Sequence, residues 1–154
     1  MRRSALIAGA ILGALASGGC AIDTELGLAV EITSASAEVA ADAAGDVVSV
    51  TLGVDYRTGA HATESHELRP QAIDVLAGGR ADRDDLAEPP AALRAGGAAG
   101  ESRSTTLTGE SAPGAALDPR RLCGSEARIL FRWIDDATGE VGTSEATTPP
   151  VTCD

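Results

Sequence analysis

Val48-Ser49-Val50-Thr51-Leu52-Gly53-Val54-Asp55-Tyr56 alternates apolar residues with polar or small ones without a break. Successive side chains of a strand point to opposite faces. A period of two therefore puts Val48, Val50, Leu52, Val54 and Tyr56 on one face, and Ser49, Thr51, Gly53 and Asp55 on the other. A sheet with one dry face and one wet face is the signature of antiparallel architecture.

Similar stretches lie on both sides of it. Leu26, Leu28, Val30 and Ile32 alternate with Gly27, Ala29 and Glu31, and residues 35–41 read as a further short strand closed by Ala43-Ala44-Gly45-Asp46. Downstream, residues 70–77 put Ile73 and Val75 on one face, while 102–108 is Thr-rich with only Leu107 to bury, as suits an edge. Residues 126–134 form a strand with Ala127, Ile129, Phe131 and Trp133 on one face. Asp135-Asp136-Ala137-Thr138-Gly139 then supplies a hairpin loop with Gly where a left-handed residue is wanted, and 140–147 returns as its partner. About seven short strands and no long amphipathic helix predict an all-β fold, a small antiparallel β-sandwich that is immunoglobulin-like in the broad architectural sense. The cysteine and tyrosine-corner pattern of a true immunoglobulin domain is not present.

The chain has 154 residues and a net charge of −11; all twelve basic residues are Arg. Such length fits one domain. The acidic balance argues against nucleic acid, whose phosphates need a basic face. From Cys20 onward only 26 residues are Leu, Ile, Val or Phe, a thin core that a covalent staple would help. Residues 58–69 and 78–100 read as loops, the second long enough to be flexible or functional.

The motifs that carry chemistry are weak. His61 and His66, with Glu64 and Glu67, crowd residues 61–67, but five-residue spacing fits no metal motif and reads as a solvated polar loop. Asp82, Asp84 and Asp85 lack the Gly and distal Glu of a calcium loop and read as a solvated acidic turn. There is no G-x-S-x-G, no P-loop and no dinucleotide fingerprint, so no catalytic residue, metal ligand or cofactor is assigned. Trp133 and Phe131 are expected in the core.

The first residues carry an address. Met1-Arg2-Arg3 is positive, residues 5–16 are apolar with Gly interruptions, and Ser17-Gly18-Gly19 leads to Cys20. A charged start, an apolar run of about 7–15 residues and small residues after it make a secretory signal peptide. The run is too short for a membrane span, which needs about 20 apolar residues. Small residues ending at a cysteine resemble the lipobox of bacterial lipoproteins. That resemblance implies diacylglycerol on the Cys20 thiol, cleavage before it, and residence on a bacterial membrane. The membrane would be the outer one where there are two, otherwise the outer face of the cell membrane. Position −3 is Ser17 where the family usually has Leu, and the alternative is cleavage after Ala14-Leu15-Ala16, which gives a secreted, soluble chain.

With Cys20 lipidated, Cys123 and Cys153 remain, and two thiols outside the cytoplasm can pair. Folding the 126–147 hairpin about Thr138 brings 123 opposite 153 to within about one position, close enough to bond. Pro149-Pro150 interrupts that ladder. Zinc would want four ligands in close pairs, and no C-x-x-C exists. The expected organisation is a signal peptide at 1–19, a tether at 20–25 and one sandwich over 26–154. The expected role is a non-catalytic envelope lipoprotein, a binding or structural module for another envelope protein or a polymer. The alternative is a secreted metal- or ligand-binding module using residues 61–67 or 82–85.

Overall fold

A computed structural model describes residues 27–43, 45–77, 84–85, 93–94, 99–111 and 118–154. The signal peptide, Cys20, the tether and most of 78–100 lie outside the described residues.

The described chain is a β-sandwich. Its strands are β1 (Leu28–Asp42), β2 (Gly45–Thr58), β3 (Glu67–Ala77), β4 (Asp84–Asp85), β5 (Leu93–Arg94), β6 (Ser102–Glu110), β7 (Ala127–Asp135), β8 (Val141–Thr147) and β9 (Thr152–Cys153). A single 3-10 turn, Pro119–Arg121, precedes β7. One sheet has the order β6-β2-β1-β9; in the other, β4 and β5 both pair with β3, followed by β7 and β8. All neighbours are antiparallel except β9, which runs parallel to β1.

The alternation read at 48–56 is the alternation of burial: Val48, Val50, Leu52, Val54 and Tyr56 are buried between the sheets. Ile73 and Val75 of β3 and Ala127, Ile129, Phe131 and Trp133 of β7 face them across the gap. Strand β6 is the outer edge of its sheet and buries only one large side chain, Leu107, as its composition predicts. Gly139 closes the β7–β8 hairpin at φ 72, with its N–H donating to the Asp135 carbonyl at 2.7 Å.

Two expectations change. Leu26 lies outside the described residues; 28–32 and 35–41 are not separate strands but belong to one strand of 15 residues, Leu28–Asp42. The register slips between Ile32 and Ser34. This bulge moves the inward set from Leu28, Val30 and Ile32 to Ala35, Ala37 and Val39, so the alternation breaks phase without the strand ending. Gly53 lies opposite the bulge and leaves room for its hydroxyls: a Cβ there would sit 2.5 Å from Ser34 Oγ and 3.0 Å from Thr33 Oγ1. The stretch 78–100 is also not wholly loop, since β4 and β5 come from it and lie along β3.

The pairings fix the two ends of the sandwich. Leu28, Thr58 and Ser102 share one end of the first sheet and Leu68, Asp135 and Val141 one end of the second, and the bond from Ser144 to the Val30 carbonyl puts those two ends together. The β1–β2 turn, the start of β7, the end of β8 and β9 share the other.

Candidate functional site

Among the described residues, three places that bring chemically capable side chains together bear on function, and the first is the staple. Cys123 and Cys153 are bonded, with Cα atoms 5.7 Å apart and a separation of 30 positions in sequence. The pairing matches expectation; the way the backbone delivers it does not. The β7–β8 ladder ends at Arg128 and Thr147. After Thr148 the chain passes Pro149-Pro150 and crosses to the other sheet, where Thr152 and Cys153 pair with Glu38 and Val39 of β1. Proline removes a ladder donor, so the chain leaves the strand there. The disulfide therefore ties the lead-in to β7 of one sheet to the edge strand of the other, instead of clasping a single hairpin. Val151 bridges back to Cys123.

A bidentate ion pair reinforces the same end. Arg120 Nε and Nη2 donate to the Asp46 carboxylate at 2.5 and 2.9 Å, joining the 3-10 turn to the start of β2. These hydrogen bonds, with the attraction of the guanidinium, hold the Asp46 carboxyl below its ordinary 3.8. Arg128 does the same across the β7–β8 pair, lowering Glu145 below its ordinary 4.5.

The second place is a groove of about 630 Å³ at the opposite end, lined by β1, β2, β6, β7 and β8. Trp133 lies at its base, 3 % exposed. The indole fits because the residue paired with it on β8 is Gly142, where a Cβ would fall 2.0 Å from the ring. Lying across Gly142, the ring reaches Ser144 and donates from Nε1 to its Oγ at 3.3 Å. The Ser144 hydroxyl in turn donates to the Val30 carbonyl of β1 at 2.8 Å, closing one sheet against the other. Glu31, Asp55, Arg57, Ser102 and Thr143 also line the groove, and its described lining residues include no His or Cys. Such a set offers hydrogen bonds and charge to a ligand. Trp133 is a core residue, as its sequence position predicts.

The third place is the His-bearing loop, and here the expectation of a solvated polar loop holds only in part. His61 and Glu64 are exposed. His66 is 1 % exposed, and its Nδ1 lies 2.5 Å from Asp135 Oδ2, a carboxylate that is itself 1 % exposed. The other Asp135 oxygen accepts the Ala137 N–H at 3.1 Å. His66 thus pins the β2–β3 loop to the β7–β8 hairpin. Its Nε2 is buried and has no hydrogen-bond partner among the described residues, so no hydroxyl or thiol among them is bonded to the His–Asp pair. A sequence signal for this burial existed: Asp135 continues the inward series of Ala127, Ile129, Phe131 and Trp133, and an inward carboxylate needs a partner.

Among the described residues no cluster of three His, Cys, Asp or Glu side chains stands ready for a metal. Asp82 lies outside them, and Asp84 and Asp85 are described only as the backbone of β4. No protein-family model matches the chain, and no curated protein matches it. The class that can be stated is that of a disulfide-stapled antiparallel β-sandwich.

Proposed function

We propose that this chain is a non-catalytic envelope lipoprotein, a binding or structural module held at a bacterial membrane by lipid on Cys20. The observation that carries this reading is the bonding of Cys123 to Cys153. A structural disulfide belongs to an oxidising compartment, which agrees with the export signal. It also accounts for two of the three cysteines and leaves Cys20, directly behind the signal, as the odd one. A thiol left exposed there would be a liability; a lipidated one is an anchor. Diacylglycerol, with or without a third chain, holds a protein durably, unlike a single myristoyl group.

The partner class is another envelope protein or a polymer, not nucleic acid, given the net charge of −11. A ligand role for residues 61–67 loses its strongest donor, since His66 is committed to Asp135.

Growth with labelled fatty acid, comparing wild type with Cys20→Ser, tests the reading. Label and detergent partitioning in the wild type, both lost in the variant, are expected. Equal aqueous partitioning of the two, without label, would mean cleavage after Ala16 and a secreted chain.

A further inference from the structure

We infer that the sandwich stands on the lipid surface by one particular end, the end bearing the β2–β3 loop and the β7–β8 hairpin, and holds its disulfide-bonded end away from the membrane. The inference rests on the lipidation of Cys20 proposed above, and otherwise on topology and charge.

Residues 20 to 28 span at most about 29 Å fully extended, whatever path they take. Strand β1, which they lead into, has 15 residues and runs about 50 Å. Leu28 is at the end shared by Thr58, Leu68, Asp135 and Val141. The tether is therefore shorter than the strand it holds. It restrains the near end and leaves Asp46, Gly124, Cys153 and Asp154 at the far one.

Charge decides between standing and lying flat. Among the described residues at the near end, Arg69 bonds Asp136 at 2.8 Å and Arg103 bonds Glu101 at 2.9 Å, while Arg57 is exposed on the same sheet face as Asp55. Glu64 and Glu140 are exposed there as well. The broad outer face of the β6-β2-β1 sheet carries Glu31, Glu38, Asp55 and Glu110 against Arg57, among serines and threonines, and on the outer face of the other sheet Arg128 and Arg132 are held by Glu145 and Asp74. An anionic lipid surface repels such faces. Val141, at 63 %, is the one exposed large apolar side chain among the described residues, and it too is at the near end. One valine is far too little apolar surface to hold a domain down. The tether alone holds, and the end it holds faces the lipid.

The test uses the lipidated chain in nanodiscs of phosphatidylglycerol containing a gadolinium-chelating headgroup lipid, with amide signals read by NMR. Broadening should be strongest at His61 and Thr138 and weakest at Asp46 and Gly124. Even broadening over both ends, or the reverse gradient, overturns the orientation while leaving lipidation intact. A chain that never associates with the discs overturns both. In a second arm, exported Cys20→Ser is floated with phosphatidylglycerol vesicles and should stay unbound. Co-flotation would show that a protein face adheres by itself, and would overturn the stand-off arrangement.

Discussion

Gly142→Ala is the sharpest probe of how the two sheets are closed. The new Cβ would fall 2.0, 2.3 and 2.5 Å from Cζ2, Cε2 and Cη2 of the Trp133 indole, contacts no real methyl group makes. The ring is 3 % exposed and sits on the core, so it can yield only by leaving its rotamer or by pushing β8 outward. Overpacking of this kind costs about 1–3 kcal/mol. Any shift also disturbs the relay from Nε1 through Ser144 to the Val30 carbonyl, bonds of 3.3 and 2.8 Å. About 2 kcal/mol in total corresponds to roughly 6–10 °C in Tm for a domain of this size. Trp133→Leu by itself should cost about 2–4 kcal/mol as a buried large-to-small change. In the Trp133→Leu background, however, Gly142→Ala should cost almost nothing, because the ring it strikes is gone. Urea unfolding followed by circular dichroism gives all four corners of this double-mutant cycle. A coupling of about 1–2 kcal/mol is expected; additive effects, or a neutral Gly142→Ala, would refute the close packing of indole on glycine.

The remaining predictions concern the staple, the buried pair and the acid limb. Cys153→Ser should lower stability by about 3–4 kcal/mol on the chain-entropy view of a thirty-residue loop, and wild-type protein should show no free thiol at 123 or 153 by alkylation without reductant. His66→Ala leaves the Asp135 carboxylate buried without its ring partner and should cost about 1–3 kcal/mol in thermal unfolding; a change within error would mean the pair is not formed. Asp46 and Glu145 have folded-state pKa values below their ordinary 3.8 and 4.5, so each stabilises the fold above those values and loses that contribution as pH falls through its depressed value. The double variant Asp46→Asn, Glu145→Gln should accordingly show a shallower loss of Tm between about pH 5 and pH 2 than wild type. An unchanged slope would place the acid sensitivity elsewhere.

Local pattern carried much of the fold. The alternation of β2 and β7, the edge character of β6 and the left-handed Gly139 are properties of neighbouring residues, and each was readable from them. What was not readable depends on contacts far apart in sequence. The Ile32–Ser34 bulge shifts an alternating pattern by one residue, which in sequence looks like a strand ending; only the pairing with β2, which runs on past the bulge, shows that it continues. The crossing of the chain after Pro149-Pro150 and its parallel pairing with Glu38 and Val39 joins residues over a hundred positions apart, beyond any local periodicity. The disulfide was legible because counting cysteines needs no geometry, although the path that closes it is not the hairpin that spacing suggested. His66 hid in a polar stretch whose composition reads as solvent-facing, while the clue to its burial sat at Asp135, nearly seventy residues away.

The central claim is that Cys20 is the membrane anchor of an exported, disulfide-closed domain. Intact-mass spectrometry of the chain extracted from membranes, without reductant, tests it most directly. The expected species begins at Cys20, carries the mass of diacylglycerol with or without one further acyl chain, and is two hydrogens lighter than its fully reduced form. An unmodified chain beginning at Ser17, recovered from the soluble fraction, would contradict it.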